Sequence, residues 1–310
     1  METIAQNSKK NDFFKNIKRS WQLYIFVSLA FLSILVFSYF PMYGILMAFQ
    51  NYSPIQGIWG STWVGFDHFR IFFEGPFFWP IIRNTFMLSL YALIAGFPLP
   101  IILALAFNEV KDGFFKKFTQ TVTYAPHFIS MVVMTGMVIS FLSPSTGIIN
   151  HLLGFIGIEP VSFLGEAGWF RSIYVWSGIW QSTGWGTVIY LAALAGVDPT
   201  LHEAAIVDGA SRFKRVLHIN LPAIMPTIII LLIMNVGAIM TNGFERIILL
   251  QTPLNLETSR VISTYVFEVG IGSLRFSFAT AIGLFNSIIN AVLLIVVNFI
   301  SKKVSDIGLW

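Results

Sequence analysis

The chain has 310 residues, 55% of them hydrophobic and only 11% charged, with a formal net charge of +4 and mean hydropathy +0.74. One soluble core cannot hide that much apolar surface, so the composition excludes a water-soluble domain and marks an integral membrane protein. With no cysteine and no paired spacing among the five histidines, neither disulfides, thiol catalysis nor a metal is expected; the basic residues flank apolar runs instead of forming a nucleic-acid face.

Met1 to Lys18 reads as a retained basic tail, because the apolar run that follows is too long for a signal-peptide core and lacks a small-residue cleavage site. Runs long enough to cross about 30 Å of hydrocarbon follow at 22–49, 84–107, 119–143, 172–197, 219–244 and 276–300, which predicts six transmembrane helices in an all-α polytopic bundle. Pro98 and Pro100 in the second span and Pro126 near the start of the third predict kinks or breaks. The intervening segments 52–80, 144–171 and 245–275 are rich in Gly, Pro and aromatic residues and are expected to form short surface helices. Every lysine falls in the tail, in 108–118, in 198–218 or after 300, so the positive-inside rule places both termini and the 198–218 loop in the cytosol, N-in and C-in. The economical organisation is a cytoplasmic tail (1–20), one transmembrane domain (21–303) and a short C-terminal tail (304–310).

The most polar segment between two spans is the loop at 198–222, with Glu203, Ala204, Ala205, Asp208 and Gly209 followed by Leu221 and Pro222. Thr200 and Glu203 have capping-box spacing, Gly209 is a natural helix stop, Ser211 can cap a second short helix carrying Arg212, Lys214 and Arg215, and Pro222 fits the first turn of the next span. This loop resembles the EAA loop of ABC importer permeases: E-A-A, three residues, G, then about a dozen residues to L-P. Farther out, Val64-Gly65-Phe66-Asp67-His68-Phe69 resembles the V-G-x-D-N-F element of the carbohydrate (MalF-like) permeases, with His68 in place of Asn. The runs from Tyr124 to Ser130, Gly184 to Leu194 and Val261 to Val266, with the terminal Gly308-Leu309-Trp310, are similar to the polysaccharide-type, LplB-like branch.

The resemblance implies a type I importer permease fold in a bacterial cell membrane and no catalysis by this chain. It implies a second related permease chain, two copies of a cytosolic ABC ATPase that bind ATP and magnesium, an extracytoplasmic solute-binding protein and an oligosaccharide cargo. Glu203 is then the coupling residue, Gly209 the turn, Ala204 and Ala205 the close-approach positions, and Leu217 departs from the aromatic residue many relatives carry.

The residues themselves agree with a separate motor. No predicted span contains Asp, Glu, Lys or Arg, His127 is the only buried titratable candidate, and no phosphate-binding G-x-x-x-x-G-K-[ST] loop occurs. Polar residues in apolar spans are the pathway candidates: Trp176, Trp180 and Gln181 on the fourth, Asn235 and Asn242 on the fifth, Asn286 and Asn290 on the sixth. Each of these also suits a plainer part, interfacial anchoring for the tryptophans and interhelical hydrogen bonding for the amides. Alternatives are an ABC permease for a non-sugar solute, a motor-independent carrier or channel, and a membrane scaffold or sensor.

Overall fold

A computed structural model describes residues 19–241 and 243–310 of the chain. They are almost entirely helical, and the chain divides into two compact units, 1–68 and 69–310. Asn242 and the basic tail before residue 19 lie outside the described residues.

The first unit is one 29-residue helix, Trp21–Phe49, followed by a short antiparallel ladder pairing Gln50 with Trp63 and Asn51 with Thr62. None of that helix's most apolar window is buried, as befits a surface made for lipid or a partner. The Val64-Gly65 turn closes on the helix end: both backbone amides donate to the Phe49 carbonyl, at 2.9 and 3.1 Å, and Gly65 takes a left-handed φ of +61°. His68 Nε2 bonds the Gln50 carbonyl at 3.0 Å, so the residue that departs from the V-G-x-D-N-F pattern still fastens this turn.

In the second unit three further helices are long and apolar enough to cross a membrane by themselves: Phe78–Glu109, Arg212–Gly237 and Phe276–Ser305. Pro98 and Pro100 interrupt the hydrogen bonding of the first, between Gly96 and Pro98, yet it continues as one 32-residue helix. Pro126 has a larger effect. The expected third span is a pair, Phe114–Phe128 and Met131–Phe141, bent by 99°. Ser130 Oγ caps the second arm by accepting from the Val133 amide.

The expected fourth span, Ala167–Leu194, runs 28 residues but is too rich in Gly, Ser, Thr and Trp to qualify on apolarity. Partial enclosure explains this: Phe170, Tyr174, Gln181, Gly184, Thr187, Tyr190 and Leu194 are buried against other helices and need not satisfy lipid, while Trp176, Trp180, Trp185 and Ile189 stay exposed. Phe170, Tyr174 and Val175 join one core cluster with Leu88, Ile247 and Val261; Tyr190 and Leu194 join another with Ile101, Ala104 and Ile224. At Gly184 an added Cβ would land on the Thr123 carbonyl, and at Gly186 it would lie 3.1 Å from Pro100 Cγ. Thr187 Oγ1 reaches Tyr124 Oη at 3.3 Å and His127 stacks on Trp185 with ring centroids 4.9 Å apart. His127 itself is exposed, so the sequence-based reading of it as a buried titratable group is corrected.

Gly184→Ala is expected to separate the two helices and to destabilise the purified protein by about 1–3 kcal/mol. Thermal unfolding in detergent reads this out, and an unchanged midpoint would refute the close-approach account.

Candidate functional site

The loop after the central helix folds as a surface helix, Pro199–Val207. Its N-cap is Asp198, whose carboxylate accepts from the Thr200 amide at 2.9 Å, with Pro199 in the first turn; the Thr200–Glu203 capping box expected from the sequence does not form. The Thr200 backbone amide, with its hydroxyl, holds the Asp198 carboxyl below the usual carboxylate range. The cap is thus strongest once the carboxylate is ionised and weakens as pH falls through that lowered range.

The helix ends as Gly209 predicts. The Gly209 amide bonds the Ile206 carbonyl at 3.0 Å, the Ala210 amide bonds Ala205 at 2.8 Å, and Gly209 has φ +75°, a Schellman turn. Glu203, Ala204, Asp208 and Gly209 are exposed and Ala205 is half-buried. In the same loop Val207 is 87% and Phe213 71% exposed, so it presents apolar as well as acidic side chains.

Ser211 Oγ accepts from the Lys214 amide at 3.4 Å, as expected, but the helix it caps is not separate. Arg212–Arg215 passes through a π turn, Val216–Asn220, into Leu221–Gly237, making one 26-residue helix. Pro222, which has no amide hydrogen and crowds the preceding turn, sits just after the widened π turn. It therefore adjusts a continuous helix, where the sequence suggested a restart.

Sequence reasoning passed over Asn220, which joins these parts. Fully buried, it faces His202 Nε2 at 2.9 Å through Oδ1 and donates from Nδ2 to Glu109 Oε1 at 3.4 Å. One amide therefore connects the surface helix, the start of Leu221–Gly237 and the end of Phe78–Glu109. Its legible signal was a polar residue directly before Leu-Pro.

Along the central helix, from Tyr174 to Tyr190, lies a cavity of about 500 Å³, walled also by Ser89 to Pro100, Leu231 to Thr241, and Arg246. Of the pathway candidates, Asn235 lines it; its Nδ2 donates to the Leu231 carbonyl at 2.7 Å. Gln181 is buried beside it, donating to the Ile129 carbonyl at 3.0 Å and accepting from Arg246 Nη2 at 3.3 Å. Trp176 and Trp180 face elsewhere, into two shallower apolar hollows, and Trp176 Nε1 donates to Tyr91 Oη at 3.0 Å. Asn290 bonds Thr241 Oγ1 at 2.9 Å and the Met240 amide at 3.1 Å, where the fifth helix has already ended at Gly237; Asn286 Oδ1 is buried without a hydrogen-bond partner. Arg246, from the 245–275 segment expected to form short surface helices, is the cationic side chain among the described residues lining this cavity.

The model of the family described as "Binding-protein-dependent transport system inner membrane component" matches residues 96–306. Protein LplB of Bacillus subtilis (strain 168) is 45% identical over 95% of this chain and 92% of its own length. The polygalacturonan/rhamnogalacturonan transport system permease protein YteP of the same organism is 40% identical over 99% and 95%. Among solved structures, a bacterial alginate ABC transporter in complex with an alginate pentasaccharide-bound periplasmic protein superposes with a TM-score of 0.87 at 43% identity, covering 96% of this chain and 99% of that one. The chain therefore belongs to the binding-protein-dependent transport system inner membrane components, as a multi-pass ABC transporter permease that moves solute without being an enzyme itself.

Proposed function

We propose that this chain is one permease half of an ATP-driven bacterial importer of oligosaccharides or polysaccharide fragments. The 198–222 loop lies in the cytosol, both termini face the same side, and two copies of an ATPase that hold ATP and magnesium dock on the Pro199–Val207 helix. A second permease completes the pathway and an extracytoplasmic binding protein delivers the cargo. The saccharide assignment draws on YteP and on the alginate transporter, whose names carry saccharide cargo.

One observation carries the coupling assignment: the exposed helix with its rigid glycine turn is wired through Asn220 to two spanning helices. A push on Pro199–Val207 reaches the start of Leu221–Gly237 and the end of Phe78–Glu109 through one buried amide, and both helices line the cavity. Such a helix needs an exposed apolar and acidic face toward its partner and stiffness behind it. Val207 and Phe213, with Glu203, supply the face; the Schellman turn and Asn220 supply the stiffness.

The test is copurification with the ATPase, followed by binding-protein-dependent uptake in vesicles holding ATP. Glu203→Lys, or Gly209→Val, which places a β-branched residue at positive φ, is expected to leave assembly largely intact and abolish transport. Normal uptake by either variant would defeat the coupling assignment. Asn220→Leu, which strands His202 and Glu109, should lower stability by roughly 1–2 kcal/mol and reduce uptake per ATP hydrolysed; unchanged coupling would show that force enters elsewhere.

A further inference from the structure

The cavity of about 500 Å³ follows the central helix for some sixteen residues, roughly 24 Å at the α-helical rise, and is lined by hydroxyls and one amide, including Ser182, Thr183, Thr241 and Asn235, set in an apolar wall. Among the described residues that line it there is no Asp, Glu, Lys or His, and one formal charge, that of Arg246. The guanidinium is built in. It lies against Gly178, where any added Cβ would collide with Nη1, and over the Tyr174 ring at 5.2 Å.

All its partners are neutral and long: Nε to Met131 Sδ at 3.5 Å, Nη1 to the Tyr174 carbonyl at 3.4 Å, and Nη2 to Gln181 Oε1 at 3.3 Å. No carboxylate lies within ion-pair distance of it among the described residues. A guanidinium carries five N–H donors, so two remain for an incoming group, and the three in use are weak enough to re-aim. A strut between Phe244–Leu250 and the central helix would need no charge, and an uncompensated cation in a cavity among membrane helices is costly. The planar fork of arginine matches a carboxylate through two parallel hydrogen bonds, which a neutral sugar hydroxyl cannot reciprocate.

We propose that Arg246 forms a carboxylate-binding site in the translocation cavity and that the cargo is an acidic oligosaccharide, one whose sugar units carry uronate groups. Gln181 is a positioning residue: its amide nitrogen is fixed on the Ile129 carbonyl at the 99° bend and its oxygen holds Nη2, which sets the fork's orientation. The proposal rests on the saccharide reading above and adds the charge of the cargo and the residue that recognises it.

The test uses the complete complex, with partner permease, ATPases and binding protein, in proteoliposomes. Trigalacturonate and trimannuronate are each compared with their methyl esters, which keep the sugar skeleton but remove the charge and add one methyl group per unit. The readout is the ratio of acid to ester uptake in the wild type, in Arg246→Gln and in Arg246→Lys. Since the binding protein is the same throughout, a change in that ratio originates in the permease. The expected result is acid preference in the wild type, a fall of about tenfold or more in Arg246→Gln, and a smaller fall in Arg246→Lys, which keeps charge but loses the fork. An equal ratio in wild type and Arg246→Gln would overturn the site, as would wild-type uptake of ester as fast as acid. Should Arg246→Gln fail to assemble, the Lys variant decides alone: an unchanged ratio rejects bidentate recognition. If ATP hydrolysis answers to no saccharide but to another class of solute, the saccharide reading itself fails; a response to neutral saccharides only leaves that reading standing and removes the carboxylate site.

Discussion

Backbone amides and carbonyls that leave helical geometry and are buried have no water to bond, so the buried irregular stretches here have to be satisfied by the protein itself. Buried asparagines meet that constraint. Asn84 donates to the carbonyls of Glu257 and Arg260 at 2.7 and 3.2 Å while accepting from Arg171. Asn150 closes the 142–161 segment from both sides, bonding the Leu142, Ser143 and Val161 carbonyls and the Val161 amide, and Asn255 holds the Leu164 and Leu250 carbonyls. Asn298 receives the Leu309 amide at 2.7 Å and so fastens the Gly308-Leu309-Trp310 end. An amide is suited to this because it offers donors and acceptors without a charge to desolvate. The same device at Asn220, with a histidine and a glutamate as partners, joins a surface helix to the spans, so this loop and the irregular segments at 142–161 and 250–260 share one chemical basis for their rigidity.

The central helix illustrates a second consequence. A helix that faces lipid must be apolar; one enclosed by other helices is free to carry small and polar residues, and those residues decide what can approach it. Gly184 admits the Thr123 carbonyl, Gly186 admits Pro100 and Gly178 admits the Arg246 guanidinium. Close approach on these sides and a cavity along the same helix are two results of one small-residue composition, since small side chains both draw backbones together and leave space where no neighbour fills it.

Much of this was legible in the sequence. Length and apolarity located the four described helices that are apolar enough to cross a membrane unaided, because about twenty apolar residues have few other uses, and the glycine turn, the serine cap and the Pro126 break followed from local chemistry that tertiary structure did not override. The misses have physical reasons too. The Thr200–Glu203 box lost to Asp198 because Pro199 fixes the first turn two residues earlier. The fifth helix begins at Arg212 because a π turn lets a helix run through the approach to Pro222, and π turns leave no sequence signature. The tryptophans of the fourth span were counted as pathway candidates, yet packing directs Trp176 and Trp180 away from the cavity. Arg246 and Asn220 went unseen because each acts through partners more than sixty and more than a hundred positions away, respectively Gln181 and Glu109, and spacing rules reach only one or two turns.

The chemistry of the cavity bears on what drives transport. A proton-coupled carrier needs a group that changes charge near neutral pH in contact with the pathway, commonly a carboxylate or histidine. The described residues lining this cavity include neither, and the guanidinium present keeps its proton at any physiological pH. A fixed positive charge can hold an anionic group but does not switch between two charge states as a titrating side chain does. In this permease the exposed helix at Pro199–Val207 is joined by Asn220 to two helices that line the cavity, so one buried hydrogen-bond network ties a surface element to the cavity wall.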